Sequence, residues 1–130
     1  MWPQRTPKFL AEVIGTFCLV FMGTGAIVVD EVTGGAVTGL GISLVFGLIV
    51  LSMIYSIGHI SGSHLNPAVT LGFLAAKRLS LKEALPYIAA QLAGAVLASL
   101  ALHFVFSGEP VSLGRTMPQG SWVQSFVLEF

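Results

Sequence analysis

Charge is what this chain has least of. Only 9% of its 130 residues are Asp, Glu, Lys or Arg, while 55% are hydrophobic. A soluble domain carries about a quarter charged residues, so the composition excludes one and describes an integral membrane protein. Cysteine is nearly absent. Cys18 stands alone in the first apolar run, which rules out an intrachain disulfide and leaves it the part of a small buried apolar residue. Of the three histidines only His59 and His64 are close, with no cysteine or carboxylate near them in sequence, so no metal site is expected. No Gly-x-Gly-x-x-Gly or Walker pattern is present, and no basic patch outside the loops between apolar runs suggests nucleic acid. Nothing in the chain supports an enzyme or calls for a cofactor.

Long apolar runs are what the chain does have. Three are long enough to cross a bilayer: about 9–29, 36–57 and 84–106. Arg5 and Lys8 precede the first, and Lys77, Arg78 and Lys82 lie between the second and third. Asp30, Glu31 and Glu109 occupy the other two gaps as a solvated loop population, with Arg115 the lone cation there. By the positive-inside rule this bias places the N-terminus in the cytoplasm and the loop after the third span outside. A secretory signal would share the Arg5 and Lys8 flank, but the run that follows is about twenty residues long and lacks a small-residue cleavage site.

Between the second and third spans lies a helix-start signal in greasy surroundings. Asn66 is a preferred N-cap, and Pro67 suits the first helical position because its missing N–H would have had no partner there. The run from Ala68 to Ala76 reads as a helix of roughly ten residues, too short to cross ~30 Å of hydrocarbon. Such a segment enters the membrane and returns to the side of Lys77 and Arg78, which complement its negative C-terminal end. Its N-terminus aims unpaired N–H groups and a positive dipole at membrane depth, where only protein or a water-filled cavity can receive them. Gly62, Ser63 and His64, just before the cap, read as irregular backbone tolerated for the same reason. Small residues recur at helical spacing: Gly35 and Gly39, Gly58 and Gly62, then Ala90, Gly94 and Ala98. In lipid such patterns let helix backbones approach closely.

The segment 122–130 looks like the opening of a fourth span. Phe126-Val127-Leu128-Glu129 echoes Phe9-Leu10-Ala11-Glu12, but from the opposite side of the membrane. A repeat that restarts with inverted orientation suggests half of a duplicated protein, with an N-terminal repeat over 1–106 and a loop and fourth-span start over 107–130 of a single transmembrane region.

The run Gly58-His59-Ile60-Ser61-Gly62-Ser63-His64-Leu65-Asn66-Pro67-Ala68-Val69-Thr70 resembles the first signature loop of the aquaporin, or major intrinsic protein, family. Ala11-Glu12-Val13-Ile14-Gly15-Thr16 and Ala90-Gln91-Leu92-Ala93-Gly94-Ala95 extend the resemblance into the first and third spans. It implies an all-α membrane fold of six spans and two re-entrant half-helices, of which this chain is similar to the N-terminal half: three spans and one half-helix. The second half-helix and the filter arginine beside it are not in this sequence. The resemblance further implies a homotetramer in the full-length form, with one pore per subunit, in the cell membrane.

The site residues follow. The Asn66 side-chain oxygen can cap the half-helix while its amide NH₂ donates into the lumen. A single-file water accepting that donor must point its hydrogens away, and the half-helix end repels cations, as in aquaporin-type pores generally. The resemblance makes the carbonyls of Gly62, Ser63 and His64 an acceptor ladder; alternatively His64 braces the loop. It places Phe46 in a narrow aromatic filter that favours water over glycerol, although periodicity alone makes Phe46 a packing residue. Glu12 is costly in a span, about +2.5 to +3.5 kcal/mol at a helix centre. By default it would be an ion or proton site, whereas the resemblance makes it a brace for the re-entrant loop. Gln91 reads as interhelical glue and His103 as interfacial packing. The expected function is passive permeation of water and other small neutral solutes with exclusion of protons and ions. Two alternatives stand beside it: a non-conducting subunit that needs a partner half, and a discontinuous-helix secondary transporter.

Overall fold

The computed structural model describes residues 6–115 and 120–129; Arg5 and Phe130 lie outside them. Five helices follow in order: α1 (Thr6–Val32), α2 (Thr38–Ser61), α3 (Pro67–Ala75), α4 (Leu81–Val105) and α5 (Trp122–Glu129), with no strand among the described residues. Helices α1, α2 and α4 are each long and apolar enough to cross a membrane. Helix α1 runs beyond the apolar limits read from the sequence at both ends, α2 beyond its C-terminal limit and α4 beyond its N-terminal one, because flanking residues continue the backbone ladder; α2 starts two residues later than read and α4 ends one earlier. Asp30 and Glu31, expected in a solvated loop, belong to the last turn of α1. The Asp30 carboxylate accepts the Val37 and Thr38 N–H groups at 2.9 and 2.8 Å, capping α2 from outside because Val37 offers no side-chain cap. The Glu83 carboxylate holds the start of α4 by accepting from the Ser80 hydroxyl and N–H.

Helix α1 is the spine of the bundle. It packs against α2 on one side and α4 on another, while α3 packs on α4. One of the three small-residue patterns makes a helix contact: Ala90, Gly94 and Ala98 are buried. A Cβ at Gly94 would overlap the Val13 carbonyl oxygen and stand 3.0 Å from the Phe17 nitrogen, so the α4 backbone rests directly on α1. The other two patterns serve turns. Gly35 lies before α2, with Gly39 in open space, and Gly62 ends α2 in the left-handed conformation (φ 89°). Ser61 is the only residue of α2 that is buried. Leu40, Leu44, Leu48, Leu51 and Tyr55 form an exposed apolar stripe along it, which costs nothing against lipid tails as apolar as leucine.

Candidate functional site

The site begins where α2 stops. The left-handed Gly62 turns the chain back alongside α2, and the Ser63 hydroxyl donates to the Met53 carbonyl at 3.1 Å, well inside the helix end. Ser63 and Leu65 are also left-handed, at φ 47° and 54°. For residues with a Cβ such conformations cost about 1–3 kcal/mol each and persist only where surroundings over-determine them.

Glu12 is what over-determines them. Its fully buried carboxylate accepts four hydrogen bonds: Oε1 from the Ser61 hydroxyl (2.7 Å) and the His64 N–H (2.9 Å), Oε2 from the Leu65 N–H (2.8 Å) and Gln91 Nε2 (2.8 Å). One side chain of α1 thereby ties together the end of α2, the irregular loop and α4. This geometry is a brace. Gln91, also fully buried, donates in addition to the Thr70 hydroxyl at 2.9 Å, and so reaches α3 from α4. The Tyr87 hydroxyl donates to the Ser61 carbonyl at 2.8 Å, and Thr16 donates to the Leu65 carbonyl at 3.2 Å. Among the described residues no buried side-chain nitrogen or oxygen is left without a partner.

These contacts fix the depth of α3. Leu65 meets Thr16, ten residues into α1, and Thr70 meets Gln91, ten residues into α4. At 1.5 Å per residue both points lie about 15 Å from a helix start. The half-helix therefore starts mid-bundle rather than lying along an end. Asn66 takes extended backbone and its Oδ1 accepts the Ala68 N–H at 2.8 Å, with Pro67 in the first turn. Its amide Nδ2 makes no hydrogen bond to a described residue, and the residue is exposed, as is Ala68. At the far end, Arg78 N–H bonds the Phe73 carbonyl and Lys77 N–H the Leu74 carbonyl, closing α3 with a left-handed Lys77.

The ring and the carbonyl of His64 are placed differently. Its ring is buried, stacked on Phe73 (centroids 4.5 Å apart, 11° between planes), with Nδ1 3.1 Å from the Thr70 hydroxyl. The imidazole thus braces the loop. Its carbonyl, like those of Gly62 and Ser63, accepts no hydrogen bond from a described residue, whereas the flanking Ser61 and Leu65 carbonyls are both taken. Phe46 lies half-buried on α2 against α1, where a Cβ on Gly23 would overlap its ring. The absent side chain of Gly23 makes room for the ring. Cys18 is half-buried and free, and His103 is exposed near the end of α4.

Ser61, Thr70, Tyr87 and Thr16 complete the brace and were not singled out from sequence.

A family model described as "Major intrinsic protein" matches residues 3–130. The chain belongs to the major intrinsic protein family. It is 49% identical over 127 residues to aquaporin NIP1-3 of Oryza sativa subsp. japonica, an alignment covering 98% of this chain and 44% of that protein. To nodulin-26 of Glycine max it is 42% identical over 123 residues, covering 95% and 45%. The X-ray structure of the aquaglyceroporin from Plasmodium falciparum superposes with a TM-score of 0.71 at 32% identity, over 80% of this chain and 43% of that one. The chain thus spans less than half the length of these relatives. Members of this family are channels rather than enzymes, and with its three apolar helices the chain is an integral membrane protein.

Proposed function

We propose that this chain supplies one half of a passive pore for water and other small neutral solutes, closed to protons and ions. The observation that carries the reading is the pairing at Asn66. One side-chain atom caps α3 while the amide NH₂ is exposed at mid-bundle depth with no described partner, and the chain just before it carries carbonyls at Gly62, Ser63 and His64 that accept from no described residue. A water moving along this stretch would exchange its neighbours for the carbonyls of Gly62, Ser63 and His64, then meet the Asn66 donor. The donor orients it and interrupts a proton wire, and the half-helix dipole opposes cations. Phe46 would narrow the path further along α1. In this reading residues 1–106 form one repeat and 107–130 lead into the next, four full-length subunits associate in the cell membrane, and the N-terminus is cytoplasmic.

The transporter alternative needs a carboxylate free to take a coupling ion. Glu12 already accepts four hydrogen bonds with both oxygens buried, which supports the pore over the transporter. Stopped-flow swelling of proteoliposomes tests the reading with two samples: the chain alone, and a chimera in which it replaces the matching part of the rice relative. Water flux is expected from the chimera and none above protein-free liposomes from the chain alone. A chimera that folds as its parent does, yet conducts no water, overturns the pore; a flux that requires an ion gradient favours the transporter.

In the same chimera, Asn66→Asp replaces the free NH₂ donor with an acceptor and adds a negative charge at the half-helix tip. Cation leak under voltage clamp is expected to rise several-fold while water flux persists. Unchanged leak counts against the donor role.

A further inference from the structure

The loop that follows α4 does not stay at the bundle's end. Ser112 to Arg115 form a tight turn, closed by Arg115 N–H on the Ser112 carbonyl at 3.2 Å, with both central residues left-handed: Leu113 at φ 51° and Gly114 at φ 71°. Glycine takes that conformation freely, leucine at a cost, so something must hold Leu113 there. Glu31 does. Its carboxylate accepts from both the Ser112 N–H (2.9 Å) and the Ser112 hydroxyl, tying the turn to the last turn of α1 across a sequence separation of 81. The turn also descends along α1. A Cβ on Gly114 would meet the Thr24 side chain and stand 3.6 Å from Ile27 Cδ1, contacts below the Val32 end of the helix.

The register on α1 gives this descent a meaning. Thr16, Gly23 and Ile27 are spaced by seven and four residues and so share one helix face. Thr16 holds the Leu65 carbonyl at the base of the half-helix, Gly23 makes room for the Phe46 ring, and Ile27 lies beside Gly114. Half-helix cap, aromatic ring and turn are therefore stacked in that order along one side of the spine. We propose that Glu31 is a positioning residue: by holding the 112–115 turn against α1 on the far side of Phe46 from the half-helix, it tunes which neutral solutes enter. The inference rests on the pore reading. Glu31 touches no solute; it acts through Ser112, by holding a strained turn against α1.

The test measures glycerol and water permeability together, in proteoliposomes of the protein at its full natural length. Glu31→Ala removes both acceptors, Glu31→Gln keeps one, and Ser112→Ala removes only the hydroxyl at an exposed position. The glycerol-to-water permeability ratio is expected to rise several-fold in Glu31→Ala, and by less in Glu31→Gln and Ser112→Ala. A merely structural role would lower both fluxes together and leave the ratio flat, which overturns the proposal. If Glu31→Ala does not fold, Ser112→Ala decides by the same ratio. Wild-type protein without water flux overturns the pore reading, and this inference with it. Wild-type flux with a ratio indifferent to every variant overturns the clamp alone.

Discussion

Glu12→Ala is expected to destabilise the bundle by on the order of 4 kcal/mol, at the upper end for a point substitution. The substitution leaves four donors without their acceptor in a site closed to water: the Ser61 hydroxyl, the His64 and Leu65 N–H groups, and Gln91 Nε2. A buried donor stripped of its partner costs about 1–3 kcal/mol, and the loop can recover only part of that by shifting. The two main-chain donors matter most, because they hold Leu65 at φ 54° and with it the entry into α3. Glu12→Gln should fall between, since one oxygen survives while the other becomes a donor facing two donors. Unfolding in detergent micelles, followed by circular dichroism, gives the ordering wild type, then Gln, then Ala. Hydrogen exchange at the Leu65 amide should accelerate in the same order. If Glu12→Ala unfolds as late as wild type, Glu12 is not the brace.

The reach of the sequence can be judged on these residues. The half-helix was legible because its signal is local: Asn66 and Pro67 cap in the chain's own neighbourhood, and α3 begins at Pro67 as the cap requires. The three spans were legible because hydrophobic length is a property of contiguous residues, though their polar ends were not. Asp30 and Glu31 look like any loop carboxylates. Their use as a cap for α2 and a tether for Ser112 depends on which backbone N–H groups the fold brings back to them, seven to 81 residues later. Glu12 stood out as a costly charge, but its four partners come from the end of α2, the loop and α4, and no spacing rule announces them. Thr70 was missed because a threonine hydroxyl in an apolar helix can equally satisfy itself on its own backbone, and Tyr87 because the partner of its phenol, the Ser61 carbonyl, lies 26 residues away on another helix. Small-residue spacing was an uneven guide. It marked Gly94 correctly and misread Gly35 and Gly62, since a glycine required for a left-handed turn and one required for helix contact look identical until the backbone is known.

Gly94→Leu is expected to abolish the α1–α4 contact, and the reason is what stands opposite. Where a new Cβ meets the tip of a flexible side chain, as at Gly15 against Leu65 and Ile57, the neighbour can rotate away. At Gly94 it meets the Val13 carbonyl oxygen, the Phe17 nitrogen at 3.0 Å and the Thr16 Cβ at 3.2 Å, none of which can move without moving α1. In lipid no hydrophobic force restores the pair, because association relies on close packing and interhelical hydrogen bonds. Separation of α4 from α1 would also stretch the Gln91–Glu12 bond and so release the loop from a distance. Even Gly94→Ala should lose about 1–3 kcal/mol to overpacking, against the roughly 1 kcal/mol of helix propensity that alanine gains over glycine. Gly47→Ala on α2, whose Cβ would meet nothing within 4 Å, supplies the control and should be neutral or slightly stabilising. Denaturation in micelles together with crosslinking between α1 and α4 distinguishes the two sites. Equal behaviour of Gly94→Ala and Gly47→Ala would mean that propensity, and not backbone contact, decides how this bundle holds together.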